Sequence, residues 1–148
     1  MQTFLPYSDY KFSARALDYR RLGKQRVECL QLLNVNLPIR YCKIFPEYKS
    51  RGWVNHPAGR MWRGYESQLI LYAMTICEEW IERGYKDSIL PRLKEMYEKI
   101  PMLDSQPPWL GNKDLHASHR SNLLRKDSVY YGKFGWSEPN DLPYVWPV

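Results

Sequence analysis

The sequence predicts an all-α fold, and three observations carry that prediction. Apolar residues recur at helical spacing over several stretches, capping and proline signals bracket those stretches, and no alternating strand pair is present. At 148 residues the chain can build one compact domain with a real core and is too short for two. Residues 1–148 are therefore read as a single domain built round three to four helices. Hydrophobic residues make up 44% of it, which excludes a disordered polymer.

Residues 1–12 read as an extended arm, because Pro6 restrains Leu5 and Ser8-Asp9 is turn-like. Ser13 can cap a helix over residues 14–33, which stops before Asn36-Leu37-Pro38. A loop over residues 38–56 follows, with a turn at Ser50-Arg51-Gly52. The next helix starts near Pro57 behind Asn55 as cap. Its stripe is Trp62, Tyr65, Leu69, Tyr72, Ile76 and Trp80, and Gly84 closes it. A shorter helix over residues 88–100 buries Ile89, Leu93, Met96 and Ile100 before Pro101. Residues 104–111 form a loop, and Asp114 can cap a helix over residues 115–126. The aromatic, proline-containing tail over residues 130–148 is expected to lie extended on the helices.

Net charge is +6, which suits a polyanionic partner, and double-stranded DNA is the expected one. The same charge would also serve plain solubility. Aromatic residues make up 15% of the chain, and Tyr and Trp serve cores and base-stacking surfaces alike. Cys29, Cys42 and Cys77 form no disulfide framework or zinc pair, so reduced, buried, structural thiols and a cytoplasmic location are expected. The apolar runs are far shorter than a membrane span, and the start lacks the basic region of a signal peptide.

On a helical wheel the first helix separates two surfaces. Leu22, Cys29, Leu30 and Leu33 form an apolar arc with Ala16 and Val27 at its margin, and Arg21, Lys24 and Glu28 cluster opposite. A carboxylate among cations stays ionised, and could stabilise a developing oxocarbenium sugar or act as a base. The plainer reading is a surface Lys24–Glu28 pair at i, i+4. Near the C-terminus, His116, His119, Arg120, Arg125 and Lys126 precede Tyr130, Tyr131 and Lys133. That mixture suits phosphate contact and stacking, or else a solvated helix face with the tyrosines turned inward. His116 and His119 stand at i, i+3, but no third ligand accompanies them, so no metal and no cofactor is expected. His56, in Gly52-Trp53-Val54-Asn55-His56-Pro57, marks a loop at a site margin.

Three blocks in this order resemble the pyrimidine-dimer DNA glycosylases. They are Leu17-Asp18-Tyr19-Arg20-Arg21-Leu22-Gly23-Lys24-Gln25-Arg26-Val27-Glu28, the aromatic helix from His56 to Arg83-Gly84-Tyr85, and His116-Ala117-Ser118 with Tyr130-Tyr131-Gly132-Lys133. The resemblance implies a helical fold whose N-terminal arm threads between helices toward DNA. It implies a free α-amino group that attacks the deoxyribose C1′, expels the base and leaves a Schiff base open to β-elimination. Glu28 matches the family glutamate. Gln2 is too bulky for the usual methionine removal, so the amine would be that of Met1. Gln2, Thr3, Arg21, Lys24, His56, His116, Arg120, Tyr131 and Lys133 are the expected DNA-binding residues. The expected function is a monomeric glycosylase, with abasic-site lyase activity, acting on damaged or modified pyrimidines. The alternatives are a non-catalytic lesion-binding module on the same fold and a metal-dependent nuclease using the histidines.

Overall fold

A helix with one apolar face must bury it against another element. The computed structural model, which describes residues 1–46 and 52–148, meets that demand with helices and, among the described residues, no strand. In chain order they are α1 (Tyr10–Ala16), α2 (Tyr19–Arg40), α3 (Pro57–Trp62), α4 (Glu66–Glu82), α5 (Leu90–Lys99), α6 (Lys113–Lys126) and α7 (Ser128–Gly132). α2 packs along α4, and α1, α3 and α5 also pack on α4. The shared core includes Leu22, Leu33 and Leu37 of α2 with Leu69, Ile70 and Ile76 of α4. α6 packs closely on α7, and the N-terminal arm lies between α6 and the α2–α4 pair. No helix among the described residues is long and apolar enough to cross a membrane.

The periodic stretches behave as their spacing requires. Trp62, Leu69, Tyr72 and Ile76 are buried, as are all four core residues expected of α5, while Tyr65 and Trp80 are half-buried. Gly84 ends α4 with φ +97°.

Several boundaries differ from expectation, each for a physical reason. The helix expected over residues 14–33 is two helices, parted where Leu17 and Asp18 are extended. Tyr131 holds that break: its hydroxyl accepts the Asp18 N–H at 3.0 Å and donates to the Asp18 carboxylate. Asp9 caps α1 by accepting the Phe12 N–H at 2.9 Å, so the arm ends at Asp9. Ser13 lies inside α1, and its hydroxyl bridges the Tyr7 N–H and carbonyl at 3.1 and 2.9 Å. α2 passes through Pro38 to Arg40, although the proline has no N–H to give to the Asn34 carbonyl. Arg40 is anchored there by Glu66 at 2.8 Å and Asp104 at 2.7 Å.

The expected second helix likewise divides into α3 and α4 around Gly64, whose φ of +92° favours glycine. His56 rather than Asn55 caps α3, its Nδ1 accepting the Ala58 N–H at 3.0 Å. Asn112 rather than Asp114 caps α6, accepting from two backbone amides. Residues 128–132 are helical instead of extended, with Asp127 as cap, and the tail beyond Lys133 carries no helix or strand. Cys29 and Cys77 are buried thiols, but Cys42 is exposed. The turn expected at Ser50-Arg51 lies outside the described residues.

Gly23 admits Trp80 to the flank of α2. A Cβ there would stand 2.8 Å from Trp80 Cη2. The indole has little freedom to retreat, because its Nε1–H donates to the Lys86 carbonyl at 2.9 Å and Arg26 covers its ring at 4.9 Å. Gly23→Ala should therefore lower stability by about 1–2 kcal/mol in denaturant unfolding. A gain of about 1 kcal/mol, as helix propensity alone would give, would show that the contact yields freely.

Candidate functional site

A buried segment that is neither helix nor strand must find side-chain partners for its backbone. Residues 2–6 are such a segment, and all five are buried. From α2, Gln25 accepts the Phe4 N–H at 2.9 Å and donates to the Gln2 carbonyl at 2.8 Å. From α4, the Tyr72 hydroxyl donates to the Phe4 carbonyl at 2.5 Å. Trp62 Nε1–H donates to Thr3 Oγ1 at 2.9 Å. From α6, His119 Nδ1 accepts the Leu5 N–H and His116 Nδ1 meets the Leu5 carbonyl, both at 2.8 Å. Arg120 donates to the Pro6 carbonyl at 2.7 Å and pairs with Glu138.

These bonds fix the histidine tautomers. His116 Nε2 accepts the Gly111 N–H at 2.9 Å, so Nδ1 carries the proton and donates to Leu5. His119 accepts through Nδ1, so its proton is on Nε2, which has no hydrogen-bond acceptor among the described residues and lies in a ring that meets Tyr144 edge-on. Both rings are neutral. Burial pushes His119 down to about 3, with help from His116 and Arg120, and burial also lowers His116.

The other end of the arm meets charge. Glu28 Oε2 accepts the Gln2 N–H at 3.3 Å, which brings the first residue out beside the carboxylate. Glu28 is 9% exposed, and Lys24 pairs with it at 3.5 Å from a far more exposed position. Met1 and Glu28 line one cleft of about 930 Å³, whose cations are Arg20, Arg21, Lys24, Arg83 and Lys126. Burial lowers Lys126, and the charges of Arg21, Arg125 and Lys24 lower it further. Asp18 lies in the same wall. Burial alone would raise it, but hydrogen bonds from Tyr131 and Arg21 hold its carboxyl below the ordinary value. One surface thus gathers an α-amino group, a carboxylate and a cationic rim.

Of the residues singled out in the sequence, Met1, Gln2, Arg21, Lys24 and Glu28 meet in this cleft. Thr3 is fully buried behind it. His56 is not part of the lining, but the Met1 charge adds to burial in lowering it, and its ring meets Trp146 edge-on. His116, Arg120 and Tyr131 bond to the arm and to Asp18. Lys133 sits over the Tyr130 ring at 3.8 Å, and Tyr130 lines the cleft. Sequence reasoning missed Gln25, Tyr72 and Asp18. Gln25 had one available signal, a polar residue one turn before Glu28.

A family model described as pyrimidine dimer DNA glycosylase matches residues 1–90, which include the arm, α1 to α4 and Glu28. No curated protein and no solved structure gives a significant match to the chain.

The clamp on Leu5 has a pH signature. A histidine held neutral when folded costs stability wherever the unfolded chain takes up its proton. Stability is therefore full above the ordinary histidine value of 6.5 and falls as pH drops from there toward about 3. The slope from His119 approaches about 1.4 kcal/mol per pH unit. His119→Asn keeps an acceptor for the Leu5 N–H and should flatten the slope between about pH 6 and 4.5. The same slope in variant and wild type would assign it to other groups.

Proposed function

The chain belongs to the pyrimidine dimer DNA glycosylase family, and from that membership we propose that it excises damaged or modified pyrimidines by way of its N-terminal amine. The observation that carries the proposal is the Gln2 N–H bond to Glu28, which sets the α-amino group of Met1 in the same cleft as a shielded carboxylate. In this reading the neutral amine attacks C1′ of the deoxyribose. The N-glycosidic bond breaks and its electron pair leaves with the base, which takes up a proton. The attacking nitrogen gives up two protons, one balancing that taken up by the base and one ending on O4′ as the C1′–O4′ bond breaks, which leaves an imine. Removal of a C2′ proton then expels the 3′ phosphate by β-elimination, which is the lyase step.

Glu28 has two tasks here. Its charge stabilises the positive charge that develops on the sugar, and its hydrogen bond to Gln2 holds the arm at reacting distance. Arg21, Lys24 and Lys126 supply phosphate contacts on the cleft wall, where each neutralised phosphate releases counterions. The roles of His116, Arg120 and Tyr131 are indirect in this reading, since each fixes the arm or Asp18 and leaves DNA to the cleft residues.

Borohydride trapping on abasic-site duplex DNA tests the amine. The untagged protein should yield a covalent adduct that disappears when the N-terminus is chemically blocked. Glu28→Gln should slow base excision about 100-fold while duplex binding persists. Binding without any adduct would favour a non-catalytic lesion-binding module, and an adduct that survives blocking would move the nucleophile to a lysine.

A further inference from the structure

The tail beyond Lys133 carries no helix or strand, yet side chains of α6 hold it at several points. Arg120 pairs with Glu138. Ser121 Oγ donates to the Pro139 carbonyl and accepts the Leu142 N–H at 3.0 Å. Asn122 donates to the Leu142 carbonyl at 3.0 Å, and Ser118 Oγ accepts the Val145 N–H at 3.2 Å. Ser118, Ser121 and Asn122 are buried, so these bonds are made away from water and fix the path of the tail. That path brings two aromatic rings to the amine end of the arm. Tyr144 lines the cleft with Met1, Gln2, Phe4 and Glu28, and its ring meets His119 edge-on with centroids 5.8 Å apart. Trp146 packs on Tyr144 at 5.5 Å and meets His56 edge-on at 5.9 Å. The charges of Met1 and Glu28 both reach His56.

The clamp alone does not orient the amine. Its outermost main-chain bond is the one from the Gln2 N–H to Glu28, and the α-amino group lies one residue further on. Peptide planarity leaves Met1 a rotation about its Cα–C bond that swings the amine without disturbing that bond. Packing of the Met1 side chain limits this rotation. Met1, Tyr144 and Trp146 are all half-buried and packed on the core, and a flexible thioether packs well against aromatic rings. We propose that Tyr144 and Trp146 are positioning residues for the N-terminal amine, backing the Met1 side chain so that the amine stays turned toward Glu28 and the cleft. The inference rests on the amine-nucleophile reading above. It extends the working site into a tail that lies outside residues 1–90, the part that matches the family model. A nucleophile displaced by about 1 Å from its line of attack can lose about 100-fold in rate, so a ring that never touches DNA can still set the speed of the reaction.

The test compares the full chain with Tyr144→Ala, Tyr144→Phe and Trp146→Ala. The ring contacts of Trp146 are with Tyr144 and His56, so its removal leaves the His119 clamp in place. Three quantities are read: the single-turnover rate of borohydride trapping on abasic-site duplex DNA at saturating protein, duplex affinity, and the NMR position of the Met1 methyl group. In the wild type that methyl resonance should be displaced by the neighbouring rings. Each alanine variant should move it toward the free-chain position and trap at least about tenfold more slowly, with duplex affinity changed by less than about twofold. Tyr144→Phe, which keeps the ring, should restore most of the rate. Slow hydrogen exchange at the Phe4 and Leu5 amides should persist in the variants. A wild-type trapping rate in both alanine variants, or a Met1 methyl resonance that neither one moves, would overturn the positioning role and leave the amine reading intact. Slowed trapping accompanied in both by lost protection at Phe4 and Leu5 would overturn it in favour of a purely structural tail. A wild type that yields no adduct would overturn the amine reading, and the positioning role with it.

Discussion

Everything at the site depends on an extended strip of backbone buried without a strand beside it. Residues 2–6 lie between α6 and the α2–α4 pair, where an unpaired amide or carbonyl would cost about 1–3 kcal/mol each. Side chains from three helices take the place of a neighbouring strand. Gln25, Tyr72, His116, His119 and Arg120 each satisfy main-chain groups of the arm, and Gln25 and the histidine pair treat a donor and an acceptor together. Such a clamp fixes the path of the chain to its first residue.

The two ends of the clamp differ in electrical character, and that difference organises the molecule. On α6 the partners of Leu5 are neutral imidazoles, kept so by burial. On α2 the partner of Gln2 is a carboxylate at the wall of a cleft rimmed with arginine and lysine. The α6 end, where the imidazoles are neutral and Arg120 is paired with Glu138, holds the arm in place, and the cleft end is where its terminus meets solvent and, in the proposed reaction, DNA. Asp18 belongs to the cleft end, where Tyr131 of α7 both parts α1 from α2 and donates to its carboxylate, which in turn holds Arg21 at 3.2 Å.

Much of this was legible in the chain, and the parts that were not divide between local caps misassigned by a few residues and contacts made from far along the chain. Helical spacing marked the buried faces of α4 and α5 correctly, because burial of a periodic stripe is a local property. The wheel put Arg21, Lys24 and Glu28 on one surface, and all three line the cleft. Boundaries failed where a distant residue decided them: Tyr131 parts α1 from α2 across 113 residues, and Asp104 with Glu66 anchors α2 beyond Pro38. The histidines and Arg120 looked like a cationic helix face for the same reason. Nothing near them in sequence announces that their partners are the carbonyls and amide of Leu5 and Pro6, 111 to 114 residues away.

Native-state hydrogen exchange at the arm amides is the most direct measure of the clamp. Gln2, Thr3, Phe4 and Leu5 each donate a buried N–H to a side chain, so all four should exchange as slowly as amides in the middle of α2 and α4. Exchange at the rate of a free chain terminus would contradict the clamp, and would remove the basis for holding the Met1 amine beside Glu28.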